Sequence, residues 1–288
     1  MPIDFLTTQQ EQSYGRFVSE PTSLQLARYF HLDDVVVALI KAKRGEHNRL
    51  GFALQLTTVR FLGTFLANPL DVPDLVVKHL AQQLGVDPTA LPQYLEREAT
   101  RYEHTSQIKA YYSYQDFPQQ PQHFRLVRWL YSRASLSSER PSVLFDLTTA
   151  YLVERKILLP GITTLERLIA STRDRANARL WQSLARLPSA SQRQELEKLL
   201  VVVSPARLTP LDQLREAPYQ ISSNSLVKAL ERVETVRKLE VGKLDFSRIP
   251  PSHLKILARY AASSKAQTLE RLGPARKIAT LLAFMRVL

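Results

Sequence analysis

Only 8 of the 288 residues are glycine, and between them apolar side chains recur every three to four positions. That spacing puts one apolar stripe along a helix, and it leaves little of the alternation that builds a sheet. The chain is therefore predicted to be all-α and multi-helical. It is longer than one core of roughly 100–150 residues usually organises, so two or three lobes are expected, including helix-turn-helix-like units.

Local signals place the helices. A short helix follows Thr7-Thr8 and ends near Gly15. Ser23 is expected to cap a helix through Phe30, and Asp33 another through Lys43. After the polar turn Arg44–Asn48, with Gly45 as a helix stop, a long helix runs from about Arg49 to Leu66. Pro73 opens a helix to Leu84, Asp87-Pro88 and Pro92 open further ones, and another covers about Thr100 to Tyr112. Beyond the linker Phe117–Gln122 come helices at about 123–134, 142–157 and 164–187, then Ser189 to Val203. Residues 203–224, with Pro205, Pro210 and Pro218, form the least regular stretch. Ser223 or Asn224 caps a helix to about Val241, Pro250-Pro251 open one to Ser263, and Gly273-Pro274 separate the last two. The expected regions are 1–117, 118–204 and 205–288.

The residue inventory excludes several chemistries. Without cysteine there is no disulfide and no thiolate site. The six histidines form no HExxH or HxxxH pair, so no metal site is expected. No phosphate-cradling GxxxxGK[ST], no GxGxxG and no GxSxG is present, and no paired carboxylates can be assigned. No cofactor and no catalytic residue is expected. The longest apolar runs, Val35–Ile40 and Leu199–Val203, are too short to span a bilayer, and the start lacks a signal peptide, so a cytoplasmic protein is expected.

Charge is the positive clue. The net charge is +12, and it is lopsided: residues 1–160 carry +1 and residues 161–288 carry +11. A basic surface attracts polyanions, and nucleic acid is the usual one.

Three stretches look suited to that partner. In Val77–Arg97, Ala81, Gly85 and Leu91, with Leu95 behind, have helix-turn-helix spacing. The second helix would present Gln93, Tyr94 and Arg97 to a groove, with Arg101 near a phosphate. An ordinary helical hairpin reads the same way, and Pro92 would shorten or displace the second helix. In Arg44–Arg60, the residues Arg44, His47, Asn48 and Arg49 gather at a helix start, where free N–H groups suit a phosphate, and Arg60 follows. Asn48 as a simple cap is the competing reading. From Thr164 to Leu187, Arg175, Arg179 and Arg186 fall within about 40° at the helical repeat. Leu165, Ile169, Ala176, Leu180 and Leu184 occupy a separate face. Such a stripe suits a phosphate backbone, and it also suits any solvated helix.

The stretch RGEHNRLGFALQLTTVRFLG at 44–63 resembles the amino-terminal region of the Tn-three family (class II, replicative) transposases. Further stretches match in the same order: FLTTQQ at 5–10, LARYFHLDD at 26–34, NPLDVP at 68–73, TRYEHTSQIKAYYSYQDF at 100–117, RPSVLFDL at 140–147, ERKILLPGITTLERL at 154–168 and KIATLLAFMRVL at 277–288. The resemblance implies recognition of double-stranded DNA at the terminal inverted repeats of a transposon. It also implies that cutting and joining belong to a carboxy-terminal ribonuclease-H-like domain with an Asp-Asp-Glu metal site, which this sequence is expected to lack. A homodimer through the carboxy-terminal or the absent part is a further expectation. The rival readings are a stand-alone helical regulator and an interaction scaffold without a specific DNA target.

Overall fold

A computed structural model describes residues 5–202, 208–216 and 223–288. The helices in chain order are α1 (Thr8–Ser13), α2 (Ser23–Tyr29), α3 (Asp34–Lys41), α4 (Glu46–Leu62), α5 (Asp74–Leu84), the 3-10 helix η1 (Pro88–Leu95), α6 (Glu98–Tyr112), α7 (Gln122–Leu136) and α8 (Pro141–Glu154). They continue with α9 (Ile162–Ala185), α10 (Ala190–Lys198), α11 (Pro210–Arg215), α12 (Ser223–Lys238), the 3-10 turn η2 (Val241–Lys243), α13 (Pro251–Ser263), α14 (Ala266–Glu270) and α15 (Pro274–Val287). Among the described residues no strand forms, and an isolated bridge pairs Gln115 with Ile157. The fold is all-α and multi-helical, as predicted.

Several ends differ from the sequence reading for local reasons. Thr22, one residue before Ser23, is the N-cap of α2, because its hydroxyl and the Gln25 amide form a reciprocal capping box. The helix after Ser189 stops at Lys198 instead of Val203: Leu199, Leu200 and Val201 tighten into three-residue turns, and the freed Leu199 carbonyl accepts the Leu211 N–H at 3.0 Å. The helix expected over 49–66 begins three residues earlier, at Glu46, and ends at Leu62, with Gly63 as its C-cap. Most of the irregular stretch 203–224, with Pro205, Pro218 and the capping side chains of Ser223 and Asn224, lies outside the described residues.

The chain divides into two compact units, Met1–Val127 with Arg140–Ile169, and Arg128–Glu139 with Ala170–Leu288. In the first, α4 is the hub. Every residue from Leu50 to Val59 is buried, so this helix is enclosed on all sides by α2, α3, α5, η1 and α6. Phe30, Ile40, Val76, Leu80, Leu91 and Ile108 close around it. Each such side chain removed from water contributes roughly 1.5–3 kcal/mol before entropy is counted. In the second unit, α15 has the same role. Ile278 through Met285 are buried against α13, α10 and η2, with Leu196, Leu199, Leu211 and Leu214 completing that core.

Candidate nucleic-acid interface

The first group of predicted residues lies where α4, η1 and α6 meet. Gly45 is the N-cap of α4 and has no side chain to offer the free N–H groups. The preceding loop is instead closed by two side chains of the first turn. Asn48 Nδ2 donates to the Arg44 carbonyl at 2.8 Å, and Arg49 Nε donates to the Lys43 carbonyl at 3.0 Å. Asn48 is thus not the N-cap. Glu46 ties this end to η1 by accepting the Asp87 N–H at 3.4 Å. Lys43 bonds Gln107 of α6 and sits 4.7 Å from the Phe52 ring centre. Arg44 is exposed, whereas His47, Asn48 and Arg49 are half-buried.

The α5–η1 pair tests the helix-turn-helix spacing directly. Gly85 has φ +67 and closes α5 in the left-handed region that a Cβ disfavours. The limb that follows is a 3-10 helix with Pro92 inside it, not an α-helix. This changes which side chains face inward. At three residues per turn, positions 91 and 94 eclipse, so both Leu91 and Tyr94 turn to the core. Tyr94 is 1% exposed, which corrects the expectation that it faces outward. Its neighbour Gln93 is exposed, as is Arg97, which occupies the N-cap position of α6.

Tyr94 fits because residue 51 is glycine: a Cβ there would lie 2.3 Å from the ring. The phenol joins a buried polar chain. Gln55 Nε2 donates to the Tyr94 oxygen, and that oxygen is 3.0 Å from His104 Nδ1. With the amide donating, the Tyr94 O–H is left to donate to an unprotonated Nδ1. Burial, with the nearby Lys43 charge, pulls the His104 pKa down to about 4, so the ring is neutral at pH 7. Burial pushes the Tyr94 phenol upward. This buried chain is absent from the sequence reading. The signal that could have found it is the glycine in the middle of α4.

Arg101 and Arg60 are less available than the sequence suggested. Arg101 is half-buried on α6, with its guanidinium 3.8 Å from Glu98. Arg60 lies with its guanidinium carbon 5.1 Å from the Tyr112 ring centre.

The second group lies on α9 and just beyond it. Arg175, Arg179 and Arg186 are all exposed. Gln182, also exposed, continues the row at the same three- to four-residue spacing and is missing from the sequence reading. Leu165, Ile169, Ala176 and Leu184 are buried on the separate face, and Leu180 is half-buried. Within the second unit Trp181 of α9 meets Arg276 at 4.8 Å, and Arg276 also lies 5.3 Å from Tyr260, so an aromatic–guanidinium sandwich anchors this helix. Among the described residues, no group of three acidic, histidine or cysteine side chains could hold a metal ion, and no helix is long and apolar enough to cross a membrane.

Helices throughout, two cores each enclosing one helix, and unpaired guanidiniums on the surface define an all-helical protein with basic faces. The chain belongs to the family described as "Domain of unknown function (DUF4158)", whose model matches residues 5–172. It is 48% identical over 287 residues to the transposase for transposon gamma-delta of Escherichia coli (strain K12), covering 99% of this chain and 29% of that relative. It is 30% identical over 271 residues to the transposase for transposon Tn501 of Pseudomonas aeruginosa, covering 93% of this chain and 27% of the relative. The transposase for transposon Tn1546 of Enterococcus faecium is 28% identical over 259 residues, 89% of this chain and 26% of the relative. The chain thus spans less than a third of the length of these relatives. The similarity to Tn-three family transposases seen in the motifs extends over nearly the whole sequence.

Proposed function

We propose that this chain recognises the terminal inverted repeats of a transposon as duplex DNA, as the end-binding part of a replicative transposase. The observation that carries this reading is the exposed row Arg175, Arg179, Gln182 and Arg186, in a half of the chain with net charge +11, within a sequence so similar to transposases. Arginines at helical spacing suit successive phosphates. Around the start of α4, exposed Arg44, Gln93 and Arg97 with half-buried Asn48 carry the donors and acceptors that read base edges. Tyr94 supports them from below without touching DNA. Regions 1–117 and 118–204 are the two DNA-binding stretches, and 205–288 leads toward the catalytic part of the longer relatives. Acting in the cytoplasm and without a catalytic centre of its own, the chain supplies binding and orientation.

The test is fluorescence anisotropy with a labelled duplex carrying the transposon end and a shuffled duplex of equal length. Preference for the end duplex supports the reading. Equal binding to both overturns sequence-specific recognition, and no binding to either overturns the DNA reading itself.

A further inference from the structure

Helix α7 reads QHFRLVRWLYSRASL: it contains three arginines and no acidic residue. Two aromatic side chains on it face solvent, Phe124 at 62% exposure and Tyr131 at 36%. Lone exposed rings are ordinary on protein surfaces. These two are different because they share one stripe with an arginine. Phe124, Arg128 and Tyr131 are spaced by four and three residues, so helix geometry alone stacks them in one row. Among the described residues, no hydrogen bond, ion pair or ring contact engages the side chain of Phe124 or Arg128. Exposed Arg125 lies one residue from Phe124 and makes only a 3.5 Å contact to Gln122 of the same helix. Arg133 is engaged elsewhere, in a two-pronged bond with Glu139 at 2.7 and 2.8 Å.

The order ring, guanidinium, ring decides what this face fits. A protein groove that takes a helix wants aliphatic side chains at three- and four-residue spacing, and here the middle position is a cation. An acid-free face with unpaired guanidiniums matches a polyanion. Rings projecting on either side of those cations match the flat faces of bases. Phe124 and Tyr131 are seven positions apart, about 10.5 Å along the helix axis. Three base-pair steps of a duplex span about 10.2 Å.

We infer that α7 is a further DNA-contacting element that grips the duplex by its deformability: Phe124 and Tyr131 wedge at base steps about three apart while Arg125 and Arg128, which lie between them on the helix, hold the intervening phosphates. The inference rests on the proposed duplex binding and adds to it a distortion of the bound DNA.

The experiment places 2-aminopurine, whose fluorescence rises when it unstacks, at successive adenines of the end duplex and follows each on binding. The expected result is brightening at two positions about three steps apart. Phe124→Ala should abolish one signal and weaken binding roughly tenfold, and Tyr131→Ala should abolish the other, while Phe124→Trp keeps the signal. Melting curves show whether each variant is folded, and Phe124→Gln replaces Phe124→Ala if that variant is not. A bound duplex that stays dark at every position overturns the wedge, and so does brightening that survives both alanine variants. Those outcomes leave duplex binding standing. Absence of any bound duplex is a separate result, and it removes both readings.

Discussion

A methyl group at position 51 would lie 2.3 Å from the Tyr94 ring, and the ring has nowhere to go, because Tyr94 is 1% exposed. Gly51→Ala should therefore destabilise the first unit by about 1–3 kcal/mol, in spite of alanine's better helix propensity. Urea unfolding monitored by tryptophan-independent circular dichroism measures this, and an unchanged midpoint would show that the ring moves aside. The neighbouring His104 gives a pH signature. Its folded-state pKa is about 4, against an ordinary value of 6.5. The unfolded chain therefore binds a proton that the folded chain refuses between those values. The stabilisation is complete above pH 6.5 and is lost as the pH falls toward 4, on the order of 2–3 kcal/mol. His104→Gln keeps an acceptor for the Tyr94 hydroxyl without the titration. It should flatten the slope of stability against pH over that window, and a slope identical to that of the parent would remove His104 as its source.

At the scale of the element, the two groups of cations have different predicted consequences. Asn48→Ala and Arg97→Ala should each cost about 1–3 kcal/mol of binding to the end duplex and spare a shuffled duplex. Arg179→Ala should weaken both duplexes alike and lower the salt slope by about one. Asn48 also closes the loop before α4 through its 2.8 Å bond to the Arg44 carbonyl, so its melting curve must accompany its binding curve. If folded Asn48→Ala and Arg97→Ala proteins keep full discrimination, the base readers lie elsewhere on the molecule. Element boundaries were legible where a side chain makes them. Asp33 caps α3, and its carboxylate takes the Val36 N–H at 2.8 Å; Pro251 opens α13. They were misread where backbone geometry competes. The run Pro88–Leu95 carries an α-helical apolar pattern, yet with Pro92 inside it winds as a 3-10 helix, and that exchange of period takes Tyr94 from the surface to the core.

At the scale of the whole molecule, the net charge of +12 sets the response to salt. If six or more phosphates are contacted, affinity for the end duplex should fall roughly 10³-fold between about 50 and 200 mM salt. A flat response would favour an interaction scaffold over a DNA-binding protein. Among the described residues no acidic or histidine cluster has metal-site character. On the proposed binding role, protein of this sequence should leave transposon-end DNA intact in Mg²⁺ or Mn²⁺. Nicking that disappears when one of its acidic residues is replaced would sink that expectation. The sequence by itself determined the helical class, the two faces of α9 and the lopsided basic charge, because glycine scarcity, apolar period and charge are properties of the chain read locally. The tertiary structure alone decided which polar groups are free to act. Tyr94 and Arg60 have the chemistry of DNA ligands, but whether such a side chain meets solvent or a ring depends on what another part of the chain brings beside it. That neighbour comes from residues distant in sequence, Gly51 and His104 for Tyr94 and Tyr112 for Arg60, and no local pattern encodes such a meeting.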